Sequence, residues 1–148
     1  MITLDADLSH DPSVIPKFVE KLQNYPFVIG SRYVNGGKNE MGFTRYILSY
    51  LGNKLIKFVL KIQIDEFTTS YRGFNLKLLK NFDLNDVSLN GYSFFLGTIN
   101  LLKITDNDMT QIPIKFKDRE KGKSKIPKIE IFRTLMNLFL IKFNFIKK

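Results

Sequence analysis

Short apolar runs alternate with longer amphipathic stretches over most of the chain. The runs Ile2–Leu4, Phe27–Ile29 and Met109–Phe116 have the length and composition of strands. Two longer stretches with helical periodicity cover about residues 43–62 and 93–104. Strands that alternate with helices predict an α/β fold with a partly parallel sheet.

Turn and capping residues divide these segments. Asp11-Pro12 has the form of a helix N-cap followed by proline in the first turn, and it predicts a helix to about Asn24. Tyr25-Pro26 ends that helix before the second strand. Residues 68–74 are predicted to form a strand or a loop.

The C-terminal part of the chain is predicted to differ from the rest. Residues 117–128 are interpreted as a basic loop, and a helix is predicted over about 129–146. We therefore expect an α/β domain over 1–128 and an amphipathic C-terminal helix over 129–148. A chain of 148 residues has room for one such domain.

The first predicted strand begins at Ile2, without the earlier β-α units that normally flank such a strand. The residues after this strand are nevertheless the most chemically distinctive of the chain. We therefore expect the sequence to be a fragment, a split gene product or a shortened relative of a larger protein.

Composition narrows the class of protein. Hydrophobic residues make up 44% and charged residues 25%, as is typical of a folded chain. The sequence has no cysteine, which excludes a disulfide framework, a thiolate metal site and a thiol nucleophile.

The net charge of +9 is concentrated at the C-terminal end. From Lys115 onward, eleven Lys and Arg residues accompany three Asp and Glu residues, whereas residues 1–114 carry a net charge of only +1. A phosphate-bearing substrate, an anionic membrane surface or nucleic acid would suit this distribution. A solvated basic face without a partner is the alternative.

Asp5-Ala6-Asp7 directly follows the first predicted strand, which we interpret as buried. In an extended chain, residues i and i+2 point to the same side, so both carboxylates are expected to face one spot. The carboxyl end of a parallel strand is where α/β folds bind ligands. Two hard oxygen ligands beside a diphosphate suit Mg²⁺ or Mn²⁺. Capping of the following helix is the alternative role.

The predicted helix at 43–62 carries two polar stripes. Arg45 and Ser49 are four residues apart and hence on one face, where a forked donor and a hydroxyl can clamp one phosphate. The other stripe borders the apolar side, as in a helix that lies at a lipid interface. An ordinary polar edge and a core-packed amphipathic helix are the respective alternatives. The second stripe consists of Tyr46, Tyr50, Lys54, Lys57 and Lys61.

The basic C-terminal part offers two further candidates. The loop Asp118–Lys125 follows a predicted strand and can wrap a diphosphate, although it lacks the glycine spacing of a Walker A loop. The last helix is interrupted by Arg133 and Lys142 and is shorter than the ~20 apolar residues of a transmembrane helix. We interpret it as interfacial or as the stub of a membrane segment, with a buried core helix as the alternative.

Six short motifs follow one another along nearly the whole chain. They are Asp5-Ala6-Asp7-Leu8-Ser9-His10-Asp11-Pro12, Gly30-Ser31-Arg32-Tyr33, Arg45-x-x-x-Ser49, Thr68-Thr69-Ser70-Tyr71-Arg72-Gly73-Phe74, Gly91-Tyr92-Ser93-Phe94 and Ile112-Pro113-Ile114-x-Phe116-x-Asp118-Arg119-x-x-Gly122-x-Ser124-Lys125. In content and order they resemble the polyprenyl-phosphate (dolichol-phosphate) mannosyltransferases of glycosyltransferase family 2. Each motif is modest by itself, and the combination is specific.

The resemblance implies a partial GT-A (Rossmann-like) α/β fold with amphipathic, membrane-interfacial helices. It also implies an inverting, metal-dependent transfer of a sugar, in the first place mannose, from a nucleotide-sugar such as GDP-mannose. The implied acceptor is a polyprenyl or dolichyl phosphate, and the cofactor is a divalent metal, Mg²⁺ or Mn²⁺. The implied location is the cytoplasmic face of a membrane, where the chain is peripheral or weakly anchored.

The same resemblance assigns roles to individual residues. The expected catalytic residues are Asp7 and Arg119, and the expected metal ligands are Asp5, Asp7 and Ser9. Donor binding is expected of Asp5, Ala6, Asp7, Arg119 and Lys125. Binding of the lipid phosphate is expected of Arg32, Arg45, Ser49 and Arg119.

Two positions depart from the family pattern. Ser9 stands where the family often has Gln, and Gly97 stands where many relatives have Glu. The family's N-terminal nucleotide-binding half has no counterpart, so a separate N-terminal half or a membrane subunit is an expected partner. The alternatives are a non-catalytic, membrane-associated remnant and a glucose-type donor. A nucleic-acid partner is not expected, since no nucleic-acid motif accompanies the basic residues.

Overall fold

The computed structural model describes residues 1–117 and 128–143. Six strands and four α-helices form within these ranges, together with 3₁₀ turns at Pro12–Val14 and Leu84–Asp86. The strands are β1 (Ile2–Thr3), β2 (Phe27–Ser31), β3 (Lys38–Asn39), β4 (Arg72–Phe74), β5 (Met109–Pro113) and β6 (Lys115–Phe116). The helices are α1 (Ile15–Lys21), α2 (Phe43–Leu60), α3 (Tyr92–Ile104) and α4 (Lys128–Lys142).

The main sheet has four strands in the order β1-β4-β2-β5. β4 is antiparallel to both β1 and β2, and β2 is parallel to β5. β1, β2 and β5 therefore run in one direction, and their carboxyl ends meet at the edge where β4 begins. A separate parallel pair joins β3 to β6 beside this edge. The expected α/β fold with a partly parallel sheet is confirmed.

The prediction of a buried first strand is wrong. β1 has two residues, is partly exposed and lies at the edge of the sheet, where its one neighbour among the described strands is the antiparallel β4. Its attachment depends on a few hydrogen bonds: the Met1 amino group donates to the Phe74 carbonyl at 2.8 Å, and Thr3 Oγ1 donates to the Ser70 carbonyl at 2.7 Å. The apolar run is too short to cover both faces of a central strand.

Most helix limits follow the prediction, residues 68–74 form first a loop and then a strand, and the strand prediction for 109–116 needs correction. The segment expected to be a helix from residue 11 to 24 contains a 3₁₀ turn and then the short α1, with Asp11 accepting from the Ser13 N–H at 2.9 Å as its cap. In residues 68–74 the strand begins only at Arg72, because the preceding threonine hydroxyls bond to nearby groups. The strand expected over 109–116 divides after Pro113, which has no N–H for a ladder, and β6 pairs with the second sheet.

The main sheet has a core on each face. On β2, Phe27 and Ile29 face the larger core, whereas Val28 faces the smaller one against α1. The larger core includes Leu138 and Ile141, so one side of α4 packs into the body of the fold. The opposite side of α4 exposes Met136 and Phe139, and Phe143 directly after the helix is also exposed.

Two glycines lie in the middle of helices, and their surroundings differ. A Cβ at Gly97 of α3 would lie 2.8 Å from Val87 Cγ1 and 3.2 Å from Leu89 Cδ1. At Gly52 of α2, nothing lies within 4 Å of the corresponding position. Gly97 therefore permits the close approach of residues 87–89 to α3, and a larger side chain cannot be accommodated there without movement.

We expect Gly97→Ala and Gly52→Ala to change stability in opposite directions. Gly52→Ala gains helix propensity and should raise the free energy of unfolding by about 0.5–1 kcal/mol. Gly97→Ala gains the same propensity, but overpacking against Val87 should outweigh it and give a net loss of about 1–2 kcal/mol. Urea unfolding followed by far-UV circular dichroism measures both, and equal stabilisation would contradict the close packing at Gly97.

Candidate functional site

The candidate site lies at the sheet edge where β1 and β2 end and β4 begins. The Asp-x-Asp segment follows β1, Arg32 follows β2, and the N-terminal half of α2 lies beside them. Asp5, Asp7, Arg32 and Glu66 all interact electrostatically with His10, which places these four charged groups around one imidazole. The structure thus brings the Asp-x-Asp segment and Arg32 together.

The Asp-x-Asp segment is bent, not extended. Residues 6–8 form a bend, and Leu8 has a φ of 64°, in the left-handed region that non-glycine residues seldom adopt. Asp7 Oδ1 accepts hydrogen bonds from the Ser9 N–H at 3.1 Å and from Ser9 Oγ at 2.5 Å. The expectation that extended geometry aligns the two carboxylates is therefore wrong, because Asp7 folds back over the following turn. Ser9 itself is buried.

His10 fixes this bend to the rest of the fold. Its side chain is buried, its Nδ1 accepts from the Asp5 N–H at 3.2 Å, and its Nε2 lies 3.3 Å from Thr69 Oγ1. The ring packs against Tyr71, with 5.1 Å between centroids. Burial lowers the pKa of His10, and the nearby carboxylates oppose this shift only in part. Because Nδ1 accepts a hydrogen bond, the imidazole is neutral and acts as a structural anchor.

Arg32 and Glu66 form a buried ion pair. Arg32 Nε and Nη2 lie 2.7 and 2.9 Å from the two oxygens of Glu66, whose side chain has no solvent exposure. The guanidinium also lies between the rings of Tyr33 and Phe116, at 5.3 and 5.1 Å from their centroids. Although burial acts against it, the Glu66 carboxylate holds the pKa of Arg32 above its ordinary value. Two of the donors expected to bind a lipid phosphate are therefore bound to Glu66.

The segment of residues 65–69 connects the site to α2. Asn53 Oδ1 accepts from the Phe67 N–H at 2.7 Å, and Lys57 Nζ donates to Asp65 Oδ1 at 2.6 Å. Sequence reasoning missed Glu66 and Asn53. The available signal was a pair of acidic residues immediately before the Thr68–Phe74 motif, but their partners lie on other elements.

Arg72 is almost completely buried and also contacts the segment of residues 65–69. Its guanidinium donates to the carbonyls of Thr69 and Phe67, each at 2.8 Å, and to that of Phe95 on α3 at 3.0 Å. Burial lowers the pKa of this arginine, and Glu66 opposes the shift. The arginine of the Thr68–Phe74 motif thus has a structural role in shaping the site.

Arg45 and Ser49 lie on one side of α2, as predicted, and both are half-buried. Tyr33, which directly follows Arg32, donates from its hydroxyl to Ser49 Oγ at 2.7 Å. Ser49 is thereby connected to the end of β2. The roles of Arg45 and Ser49 in phosphate binding remain predictions.

Arg119 and Lys125, which were expected to bind the donor and acceptor, lie outside the described residues. Among the residues that are described, no three His, Cys, Asp or Glu side chains come together as a candidate metal centre. Asp5 and Asp7 still fit a Mg²⁺ or Mn²⁺ ion of the type that takes one or two carboxylates and completes its shell with substrate phosphates and water.

The apolar side of α2 is exposed along much of the helix. Phe43 and Phe58 expose 77% and 81% of their surface, and Leu48 and Leu51 are also exposed. Asn53, Ile56 and Leu60 are buried, so α2 also packs on the core through another face. No helix within 1–117 and 128–143 is both long and apolar enough to cross a bilayer.

The comparison with protein families gives the class of this chain, the glycosyltransferases. Residues 1–82 match the model of glycosyl transferase family 2, and the chain belongs to this family. The fold is accordingly part of a GT-A fold.

Three relatives extend the match beyond residue 82. The chain is 30% identical over 127 residues to an undecaprenyl-phosphate mannosyltransferase of Micrococcus luteus, covering 85% of this chain and 52% of the relative. It is 30% identical over 128 residues to a polyprenol monophosphomannose synthase of Mycolicibacterium smegmatis, covering 85% and 48%. It is 32% identical over 140 residues to a dolichol-phosphate mannosyltransferase of Pyrococcus furiosus, covering 93% and 39%. The chain thus spans about half of these relatives or less.

We expect the Arg32–Glu66 pair to show strong coupling in a double-mutant cycle. Glu66→Gln leaves a buried guanidinium without its counter-charge and should cost about 3–5 kcal/mol of unfolding free energy. The double variant Arg32→Leu/Glu66→Leu removes both charges and should recover most of that loss. Urea unfolding measures the cycle, with Arg32→Leu and Glu66→Leu as the single variants. Additive losses would show that the two side chains are not coupled.

The pH dependence of stability should report on His10. Its folded-state pKa is lowered, so the unfolded chain binds the proton more readily, and protonation favours unfolding. The stabilisation from the neutral imidazole is complete above the unfolded pKa of about 6.5 and decreases as the pH falls below it. His10→Asn should flatten the dependence between pH 7 and pH 5, measured by urea unfolding. An unchanged slope would contradict this role.

Proposed function

We propose that the chain is the acceptor-side and metal-side part of an enzyme that transfers a mannosyl group from a nucleotide diphosphate-sugar to a polyprenyl phosphate. The observation that carries this proposal is that the Asp-x-Asp segment and Arg32 lie near one imidazole at the sheet edge, and that Tyr33, the residue after Arg32, is hydrogen-bonded to Ser49 of α2. The names of the three relatives support mannose as the sugar and an undecaprenyl, polyprenol or dolichol phosphate as the acceptor.

Asp5 and Asp7 are the proposed metal and donor ligands, with Ala6 contributing backbone and Ser9 orienting Asp7. The bound metal would neutralise the negative charge that develops on the departing diphosphate. In the present structure Asp7 Oδ1 bonds to Ser9, and this bond can hold the carboxylate in one orientation. Arg119 and Lys125 are proposed to add positive charge from the basic loop, with GDP-mannose as the proposed donor.

Arg45 and Ser49 are proposed to hold the lipid phosphate. A guanidinium and a hydroxyl separated by one helical turn can donate to different oxygens of one phosphate group. Arg32 is proposed mainly to position neighbouring residues, because two of its N–H donors are already hydrogen-bonded to Glu66. It fixes Tyr33 and thereby Ser49 at the end of β2.

The proposed reaction is a direct displacement. An ionised oxygen of the acceptor phosphate attacks the anomeric carbon, the bond from that carbon to the nucleotide diphosphate breaks, and the configuration inverts. The phosphate is already anionic, so the chain's task is orientation and charge stabilisation more than proton removal. The proposed catalytic residues are accordingly Asp7 and Arg119.

The proposed location of the chain at a membrane follows from its proposed acceptor. A polyprenyl phosphate lies in a membrane, and the exposed apolar side of α2 suits a peripheral or weakly anchored position on the cytoplasmic face. Residues 129–148 are proposed to add an amphipathic helix to the catalytic part at 1–128. A separate N-terminal half or a membrane subunit is the proposed partner, since the chain spans about half of its relatives or less.

A non-catalytic membrane-binding remnant is the second candidate. The exposed Phe43, Leu48, Leu51 and Phe58 favour it, because they supply lipid contact without any requirement for a donor site. This candidate predicts association with vesicles and no sugar transfer under any condition. A glucose-type donor is the alternative within the enzyme hypothesis.

The transfer assay separates these candidates. Labelled mannose transfer from GDP-mannose to undecaprenyl phosphate is measured with Mg²⁺ or Mn²⁺, for the chain alone and fused to the N-terminal half of the Pyrococcus furiosus relative. Asp7→Asn should reduce turnover by about 10²–10³-fold, a loss typical of a group that stabilises developing charge. Asp86→Asn, on an exposed 3₁₀ turn, is the matched control and should leave turnover unchanged. Full turnover in Asp7→Asn would rule out the proposed role.

A further inference from the structure

Three tyrosines form an aromatic cluster beside Ser49. The cluster consists of Tyr33, Tyr46 and Tyr50. The ring centroid of Tyr33 lies 6.2 Å from that of Tyr46 and 5.8 Å from that of Tyr50, and the centroids of Tyr46 and Tyr50 lie 6.0 Å apart. We call this set the tyrosine cluster. Tyr46 and Tyr50 each expose 36% of their surface, so the cluster presents aromatic surface to solvent at the end of β2.

The tyrosine cluster is directly connected to the proposed phosphate clamp. The Tyr33 hydroxyl donates to Ser49 Oγ at 2.7 Å, and burial raises the pKa of Tyr33 further above neutral pH. Because Ser49 Oγ accepts this bond, its own proton is directed elsewhere and can be donated to an anion. A ligand whose phosphate binds at Ser49 would have its adjoining atoms next to the tyrosine rings.

The surroundings specify the chemistry of such a ligand. Lys54 Nζ lies 5.5 Å from the centroid of Tyr50, and Arg45 neighbours Tyr46 on α2, so cationic groups border the cluster. Further around α2, Leu48 and Leu51 expose more than half of their surface. Cationic, aromatic and aliphatic groups are thus all present on the surface of this helix, and together they match an amphiphile with an anionic head and an apolar chain.

Aromatic rings add a preference that aliphatic residues alone would not provide. Each isoprene unit of undecaprenyl phosphate contains a planar carbon–carbon double bond, which can lie flat against a ring face at van der Waals distance. A saturated alkyl chain has no such planar group and makes less regular contact with a ring. Stacking between planar groups contributes specificity beyond the area that is buried.

We propose that the tyrosine cluster binds the isoprene units next to the phosphate and selects unsaturated prenyl phosphates over saturated alkyl phosphates. This proposal rests on the proposed acceptor function and adds a specificity-determining subsite to it. Tyr46 and Tyr50 contact the chain, whereas Tyr33 supports them and orients Ser49.

The test compares the binding of two phosphates to the full 148-residue chain. Farnesyl phosphate and dodecyl phosphate have main chains of equal length, and inorganic phosphate measures head-group binding alone. Isothermal titration below the critical micelle concentrations should show tighter binding of farnesyl phosphate by roughly three- to tenfold. Tyr46→Leu/Tyr50→Leu keeps apolar surface but should abolish this preference while dodecyl phosphate still binds. Phe132→Leu, an exposed aromatic on α4 outside the cluster, is the control and should retain the preference.

The outcomes distinguish a failure of the proposed tyrosine subsite from a failure of the proposed acceptor function. If the two amphiphiles bind equally well, and the tyrosine variant changes neither, the cluster is not a specificity subsite and the proposed acceptor function stands. If neither amphiphile binds more tightly than inorganic phosphate, the acceptor function fails and the subsite fails with it. Circular dichroism of the variants establishes that each is folded.

Discussion

The carboxylate of Glu66 has no contact with solvent, and the Arg32 guanidinium donates to both of its oxygens. This pair joins two parts of the chain that are 34 residues apart. It holds the end of β2 against the segment of residues 65–69, and that segment in turn holds α2 through Asn53 and Lys57. The relative position of the Asp-x-Asp segment, Tyr33 and Ser49 depends on these contacts.

Buried ion pairs seldom contribute more stability than apolar residues of the same size. The main contribution of the Arg32–Glu66 pair is therefore that it fixes the orientation of the two segments it joins. A forked donor opposite a carboxylate permits one orientation, whereas two leucines would permit several. Arg72 applies the same principle behind the site by fixing three backbone carbonyls with one guanidinium. Two arginines thus shape the site through their geometry.

Much of the fold could be predicted from the sequence because local patterns determine it. α2, α3 and β2 were predicted to within about two residues. The apolar positions of α2 and α3 recur with a helical period, and β2 is a short apolar run that directly follows Pro26. β4 and the division between β5 and β6 were less predictable. The start of β4 depends on threonine hydroxyl contacts, which have no local signature. Pro113 marks the end of β5 in the sequence, but the pairing of β6 with β3 depends on the folded chain.

The sequence motifs name the residues of the candidate site but not their arrangement. The motifs identified Asp5, Asp7, Arg32, Arg45 and Ser49. They did not indicate that Leu8 takes a left-handed conformation, or that Arg32 is bound to Glu66. Contacts between distant segments form only in the folded chain. The spacing of residues in a single sequence therefore does not indicate them.

The position of β1 has a consequence for how the site assembles. β1 comes first in the chain, yet its partner in the described sheet is β4, about 70 residues later. Loop-closure entropy delays such a distant pairing until much of the intervening chain is in place. The Asp-x-Asp segment should therefore become ordered late, after β2, α2 and β4 have formed the surface that receives it. During synthesis, the proposed metal ligands would leave the ribosome before β2, α2 and β4 and reach their final geometry after them.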